Sequence, residues 1–168
     1  MMQIKSKLLI TIFLIGIFQN IWAQEEIIKS YADSTALKSY CFYPSTLRML
    51  NLKKNKDYYK MVENINKILI YSLDSTATAD KSYIEMMEKY ENNEFEEYAI
   101  MLGGNTNFYI YGKKGKQDEF VGAYIEKKQV KIFYLYGKIG WHKIPALLQS
   151  ISQGDMFNIY SIISPNDN

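Results

Sequence analysis

The pattern of apolar and polar positions changes three times along the chain. At the start, Lys5 and Lys7 precede an apolar run from Leu8 to Phe18, broken only by Thr11 and Gly16. A more polar stretch follows and ends on Ala23. Basic, then apolar, then small is the layout of a secretory signal peptide. The run is too short for a membrane span, which needs about 20 apolar residues. The pattern therefore predicts a signal peptide over residues 1–23, cut after Ala23, with Gln24 as the new terminus. No Cys stands at that cut to take a lipid.

Residues 24–39 carry sparse apolar positions and predict a flexible N-terminal segment, either a mobile entry or a frayed helix. A single domain is expected over residues 40–163, followed by a polar tail at 164–168. Within it, Tyr40 to Tyr43 predicts a short extended piece, and Pro44 with Ser45 or Thr46 predicts a helix start. Tyr58, Met61, Val62 and Ile65 recur at helical spacing behind Asp57, a candidate cap. Ile68 to Leu73 predicts a strand and Asp74 to Asp80 a turn. Lys81 to Glu91 returns to the helical period, with Ile84, Met87 and Tyr90 on one side.

Beyond residue 96 the period becomes two. Glu97 to Leu102, Asn107 to Gly112, Glu119 to Glu126 and Val130 to Tyr136 predict strands joined by hairpins. Gly103-Gly104-Asn105 supplies one of the turns, because glycine tolerates positive φ. The last strand is apolar on both faces after Lys131, as a central strand should be. Trp141 to Ile151 predicts a helix burying Ile144, Leu147, Leu148 and Ile151, with Pro145 in its first turn. Phe157 to Ile163 adds a short closing piece. The expected fold class is α+β: a two-layer sandwich with a mostly antiparallel sheet of four to five strands and helices on one face.

Several landmarks stand in a fixed order: FYPSTLRMLNL at 42–52, INKILIYSLD at 65–74, EMMEKYENNEFEEYAIML at 85–102, NFYIYGKKGK at 107–116 and IFYLYGKIGWHKIPAL at 132–147. Together they resemble an uncharacterised family of exported proteins of Gram-negative bacteria, known as domain of unknown function 4252. The likeness spans roughly residues 40–150. It implies an envelope location and an α+β fold, and brings no catalytic residues with it.

Charge changes the picture little. The sequence holds 20 basic and 18 acidic residues. Two of the basic residues precede Gln24 and all the acidic ones follow it, so the part after the cut is balanced. The overall basic pI of 8.4 thus gives no reason to expect nucleic acid. The 15 Tyr, like the many Lys, Ile and Asn, have AT-rich codons, which alone would enrich them. Cys41 is the lone cysteine, and its aromatic neighbours Tyr40, Phe42 and Tyr43 predict burial.

Candidate chemistry is thin. One histidine, His142, and one cysteine give neither a nucleophilic triad nor a zinc site, so no metal and no cofactor is expected. The oxygen-rich stretch Glu91-Asn92-Asn93-Glu94 with Glu96 and Glu97 lacks EF-hand spacing. Gly112 to Lys116 lacks the following helix that a phosphate loop needs. Paired carboxylates drawn from Glu97, Glu119 and Glu126 would suit a small hydrolase or a carbohydrate-binding or carbohydrate-active protein, the alternative reading.

The first reading is a non-enzymatic binding domain with an open face of tyrosines, Tyr109, Tyr111, Tyr124 and Tyr134. Its expected partner is an envelope protein or peptide. The expected location is exported, periplasmic or secreted, with no stable membrane anchor after signal cleavage. On this reading Tyr109→Ala with Tyr111→Ala abolishes partner capture and leaves the melting temperature nearly unchanged.

Overall fold

A computed structural model describes residues 20–51, 54–103, 106–126 and 129–153. The core of the expected signal peptide (residues 1–19), the closing piece from Phe157 and the polar tail lie outside these residues.

The chain opens with helix α1 (Asn20–Thr35) and strand β1 (Ala36–Phe42). These occupy the stretch 24–39 that was expected to be flexible. The reason is packing: Ile28 and Ala32, one turn apart, are buried against the sheet, which anchors a helix too sparse in apolar residues to stand alone. Glu25 ties it further, pairing with Lys29 at 2.7 Å and Lys67 at 2.7 Å. Ala23, the last residue before the expected cut, lies within α1.

Next come α2 (Pro44–Met49), α3 (Lys56–Val62), β2 (Ile65–Leu73), α4 (Ser75–Asp80) and α5 (Tyr83–Glu91). Pro44 starts α2 as expected, although Tyr43 holds the cap position without a side-chain bond. The cap of α3 is Asn55, whose side chain accepts from the backbone N–H of Asp57 and Tyr58. Ile65 already belongs to β2, so the helix is shorter than its spacing suggested. The expected turn at 74–80 winds into α4, because the Asp74 carboxylate accepts from the Ala77 N–H at 2.7 Å and so caps a helix. In α5 the buried side is Tyr83, Met86, Met87 and Tyr90, and Ile84 faces outward.

A meander follows: β3 (Glu96–Met101), β4 (Thr106–Lys113), β5 (Glu119–Glu126) and β6 (Gln129–Gly137). A 3-10 turn (Trp141–Lys143) then leads into α6 (Ile144–Gln153). Ile144, Leu147, Leu148 and Ile151 are buried, as their spacing requires.

The sheet has six strands in the order β1-β2-β6-β5-β4-β3, one or two more than the sequence suggested, and every neighbouring pair is antiparallel. Helices cover both of its faces, not one. On the first face α1, α4 and α5 pack Ile28, Ala77, Met86 and Tyr90 onto Leu69, Val121 and Ile132. On the second, α2, α3 and α6 pack Leu47, Val62, Leu147 and Leu148 onto Ile68, Ile110 and Phe133. The architecture is thus α+β in three layers. The cause is visible in β2 and β6, which are buried on both sides over most of their length. A strand apolar on both faces exposes one of them to water unless both are covered.

Two glycines make the close packing possible. Gly122 lies in β5 between Ile110 and Phe133; an added Cβ would sit 2.6 Å from the Phe133 ring. Gly137 ends β6 with φ at +143°, beside the β2 bulge at Ile65 to Lys67.

Candidate functional site

The four tyrosines do not form one open face. Alternation along β4 sends Tyr109 and Tyr111 to the first face, where Tyr111 and Tyr134 are buried beneath α5 and Tyr109 is half-buried against the same core. Tyr124 points to the second face, 3% exposed, stacked on Phe108 at 5.5 Å between centroids. The expectation of an exposed Tyr surface is therefore corrected. It assumed a bare sheet face, and both faces are covered.

The hydroxyls of Tyr134 and of Tyr90 on α5 are held inside the domain. Tyr134 donates to the Glu119 carboxylate at 2.6 Å, and Tyr90 donates to the Gln24 carbonyl at 2.7 Å. Burial raises the Tyr134 phenol far above its ordinary value, and the Glu119 charge adds to this. Burial, then Glu91, pushes Tyr111 up to about 12. These phenols stay protonated across physiological pH and cannot serve as bases there.

The carboxylates do not converge either. In register, Glu119 stands opposite Lys113 and Tyr136, and Glu126 opposite Thr106 and Gln129. The two occupy opposite ends of β5, roughly 23 Å apart at the rise of an extended strand. Glu97 lies exposed on β3, opposite Tyr111. Glu119 already accepts from Tyr134. The acidic stretch before β3 is dispersed as well: Glu94 pairs with Lys113 at 2.6 Å. Among the described residues no group of three or more metal-ligating side chains comes together.

Lys113 to Lys116 sits on the β4–β5 turn, where Asp118 closes a clamp. Its carboxylate accepts from Lys138 at 2.9 Å and faces Lys114 at 3.7 Å. Burial pushes the Asp118 carboxyl up, but the bonds from Lys138 and the Gly115 N–H overcome it and leave it below its ordinary value. The turn is a structural staple, not a phosphate cradle. His142 is exposed, its ring edge-on to Trp141.

Cys41 is exposed, not buried. It sits on β1, the outer strand of one sheet edge, where alternation buries Phe42 and turns Cys41 outward. A shallow cavity of about 380 Å³ opens at the other end of β1, over Leu37, Leu73, Asp74 and Gln129. Asp74 is committed to capping α4.

The other sheet edge has a different character. The outer side of β3 has no strand partner among the described residues. Its second half and the residue that follows are apolar and open to solvent: Ile100 is 43% exposed, Met101 37% and Leu102 67%. Ile100 pairs with Tyr109 and Met101 with Phe108, so both surfaces of this edge rest on aromatic rings. The Tyr83 ring on α5 meets Tyr109 at 6.3 Å. The first half of β3 is acidic, with Glu96 and Glu97 exposed and in no ion pair with the described residues. A bulge between Glu97 and Ala99 separates the halves. Sequence reasoning found the strand but could not tell that it lies at an edge, since strand order is set by long-range pairing. Comparisons with protein-family models, curated proteins and solved structures return no match.

Proposed function

We propose that this chain is an exported, non-enzymatic domain that binds a protein or peptide by accepting one extended partner segment along β3. Its kinship with the exported family of domain of unknown function 4252 belongs to the same proposal. So do removal of residues 1–23 and an envelope address, periplasmic or secreted. One observation carries the reading: an edge strand whose outer side has no strand partner among the described residues and which ends in exposed Ile100 and Met101, followed by exposed Leu102. An unguarded edge recruits other strands, and proteins normally blunt it with charge, bulges or cover. Here the bulge and the glutamates guard only the first half. In strand addition the backbone supplies affinity and alternate side chains supply selectivity.

The hydrolase or carbohydrate reading has no observation in its favour, because the strand carboxylates are spread along the sheet. The test is capture from crosslinked envelope extract with tagged residues 24–168 and with the Ile100→Lys, Leu102→Lys variant. A partner held by the first and lost by the second is expected, with melting temperatures within about 2 °C of each other, as for surface changes. Equal capture by both proteins would remove β3 from the reading. Mass spectrometry of the exported chain should find Gln24 at its start.

A further inference from the structure

We propose that the segment accepted by β3 has a fixed polarity: apolar side chains first, and lysine or arginine three to four residues later. This rests on the strand-addition reading and specifies the partner. The argument begins with charge. Glu94 is neutralised by Lys113, and Lys114 lies over the Tyr98 ring at 5.9 Å, which leaves Glu96 and Glu97 as the edge charges in no ion pair with the described residues. The end of α5 carries Glu88, Lys89 and Glu91, a net negative charge that adds to the same field, as does the negative end of that helix. The apolar half begins just beyond the bulge. From Glu97 to Ile100 is three residues, roughly 10 Å along a strand. An occupant must therefore present positive charge and apolar surface about one such step apart.

Direction follows from the sheet. Every pair in it is antiparallel, and antiparallel pairing is slightly the more stable per residue. A segment running against β3 meets Leu102 and Ile100 first and reaches Glu97 and Glu96 last. Its apolar residues thus precede its basic ones.

A second copy of this chain fits poorly. Two β3 strands pairing about a centre at Tyr98 and Ala99 would set Glu97 against Ile100 and Glu96 against Met101. Such a pairing places carboxylates over apolar side chains and matches neither half. Over its whole length the strand is thus complementary to a basic-apolar segment, and a second copy could match only the apolar half, about a centre at Ile100 and Met101.

The experiment uses two labelled peptides of identical composition and fluorescence anisotropy on residues 24–168. One is acetyl-Val-Thr-Val-Thr-Ser-Thr-Lys-Thr-Lys-amide, and the other is its reverse. The first is expected to bind more tightly, and to weaken on the order of tenfold against Glu96→Lys, Glu97→Lys. Both substitutions are at exposed positions, and circular dichroism checks that the fold is kept. Equal binding of the two peptides would overturn the polarity while leaving strand addition intact. Binding of the first peptide that is indifferent to the two charge reversals would overturn the role of the glutamates. Failure of both peptides, with or without a dimer in sedimentation, would sink the strand-addition reading itself and, in the dimer case, give the edge to a second copy.

Discussion

Tyr134→Ala is expected to destabilise the domain by about 3–5 kcal/mol, the usual cost of removing a buried aromatic ring. The ring is 2% exposed and sits mid-strand in β6 between β2 and β5. Two effects add. Its removal leaves a cavity under α5, and the Glu119 carboxylate loses the hydroxyl that donates to it at 2.6 Å. Tyr134→Phe separates them, keeping the ring and deleting the donor at about 1–2 kcal/mol. Urea denaturation of the two variants measures both, against a total stability of about 5–15 kcal/mol. A loss below about 1 kcal/mol for the alanine variant would return the ring to the surface and revive an open tyrosine face.

Gly137→Ala should cost about 2–4 kcal/mol although it adds a single methyl group. The residue holds φ at +143°, which side chains strongly disfavour. A Cβ there would meet the Asn64 carbonyl oxygen at 2.5 Å, the Ile65 Cα at 2.6 Å and the Asn66 nitrogen at 2.8 Å. All three are backbone atoms at the start of β2 and cannot swing aside. Gly103 is the natural control, with φ at +151° and open space around its absent side chain. The difference between Gly137→Ala and Gly103→Ala in denaturant midpoint isolates the collision from the dihedral strain. Equal losses would show that β2 yields and that the contact is not a constraint.

The meander was legible because its signals are local. Alternation marks β4, β5 and β6 within a residue or two of their bounds, and the 3.6 period marks α6 and its four buried residues. Elements whose stability is tertiary were not legible. Helix α1 has little apolar periodicity and exists because Ile28 fits against the sheet. Strand β1 was legible only at its end, Tyr40 to Phe42, and its first half owes its extended form to pairing with β2. The tyrosines misled for a related reason. Alternation correctly put Tyr109 and Tyr111 on one side, but nothing local says whether a helix lies over that side. The apolar run of β6 did carry that information, since a strand greasy on both sides implies cover on both. As for the candidate edge, its residues could be read as a strand, and only the strand order makes them available to a partner.

That strand order also has a meaning in time. Strand β2 lies between β1 and β6, yet β6 is the last strand along the chain among the described residues. A polypeptide delivered gradually from its N-terminal end, by a ribosome or through a secretion channel, can close the β1–β2 hairpin early and then must wait. The edge of β2 that faces away from β1 stays unpaired until residues 129–137 arrive. The β3–β6 meander has no such delay, since each strand follows its neighbour in sequence. The last strand to emerge is thus the one that joins the two halves of the sheet, so a nascent chain short of β6 is two fragments with sticky borders and no domain.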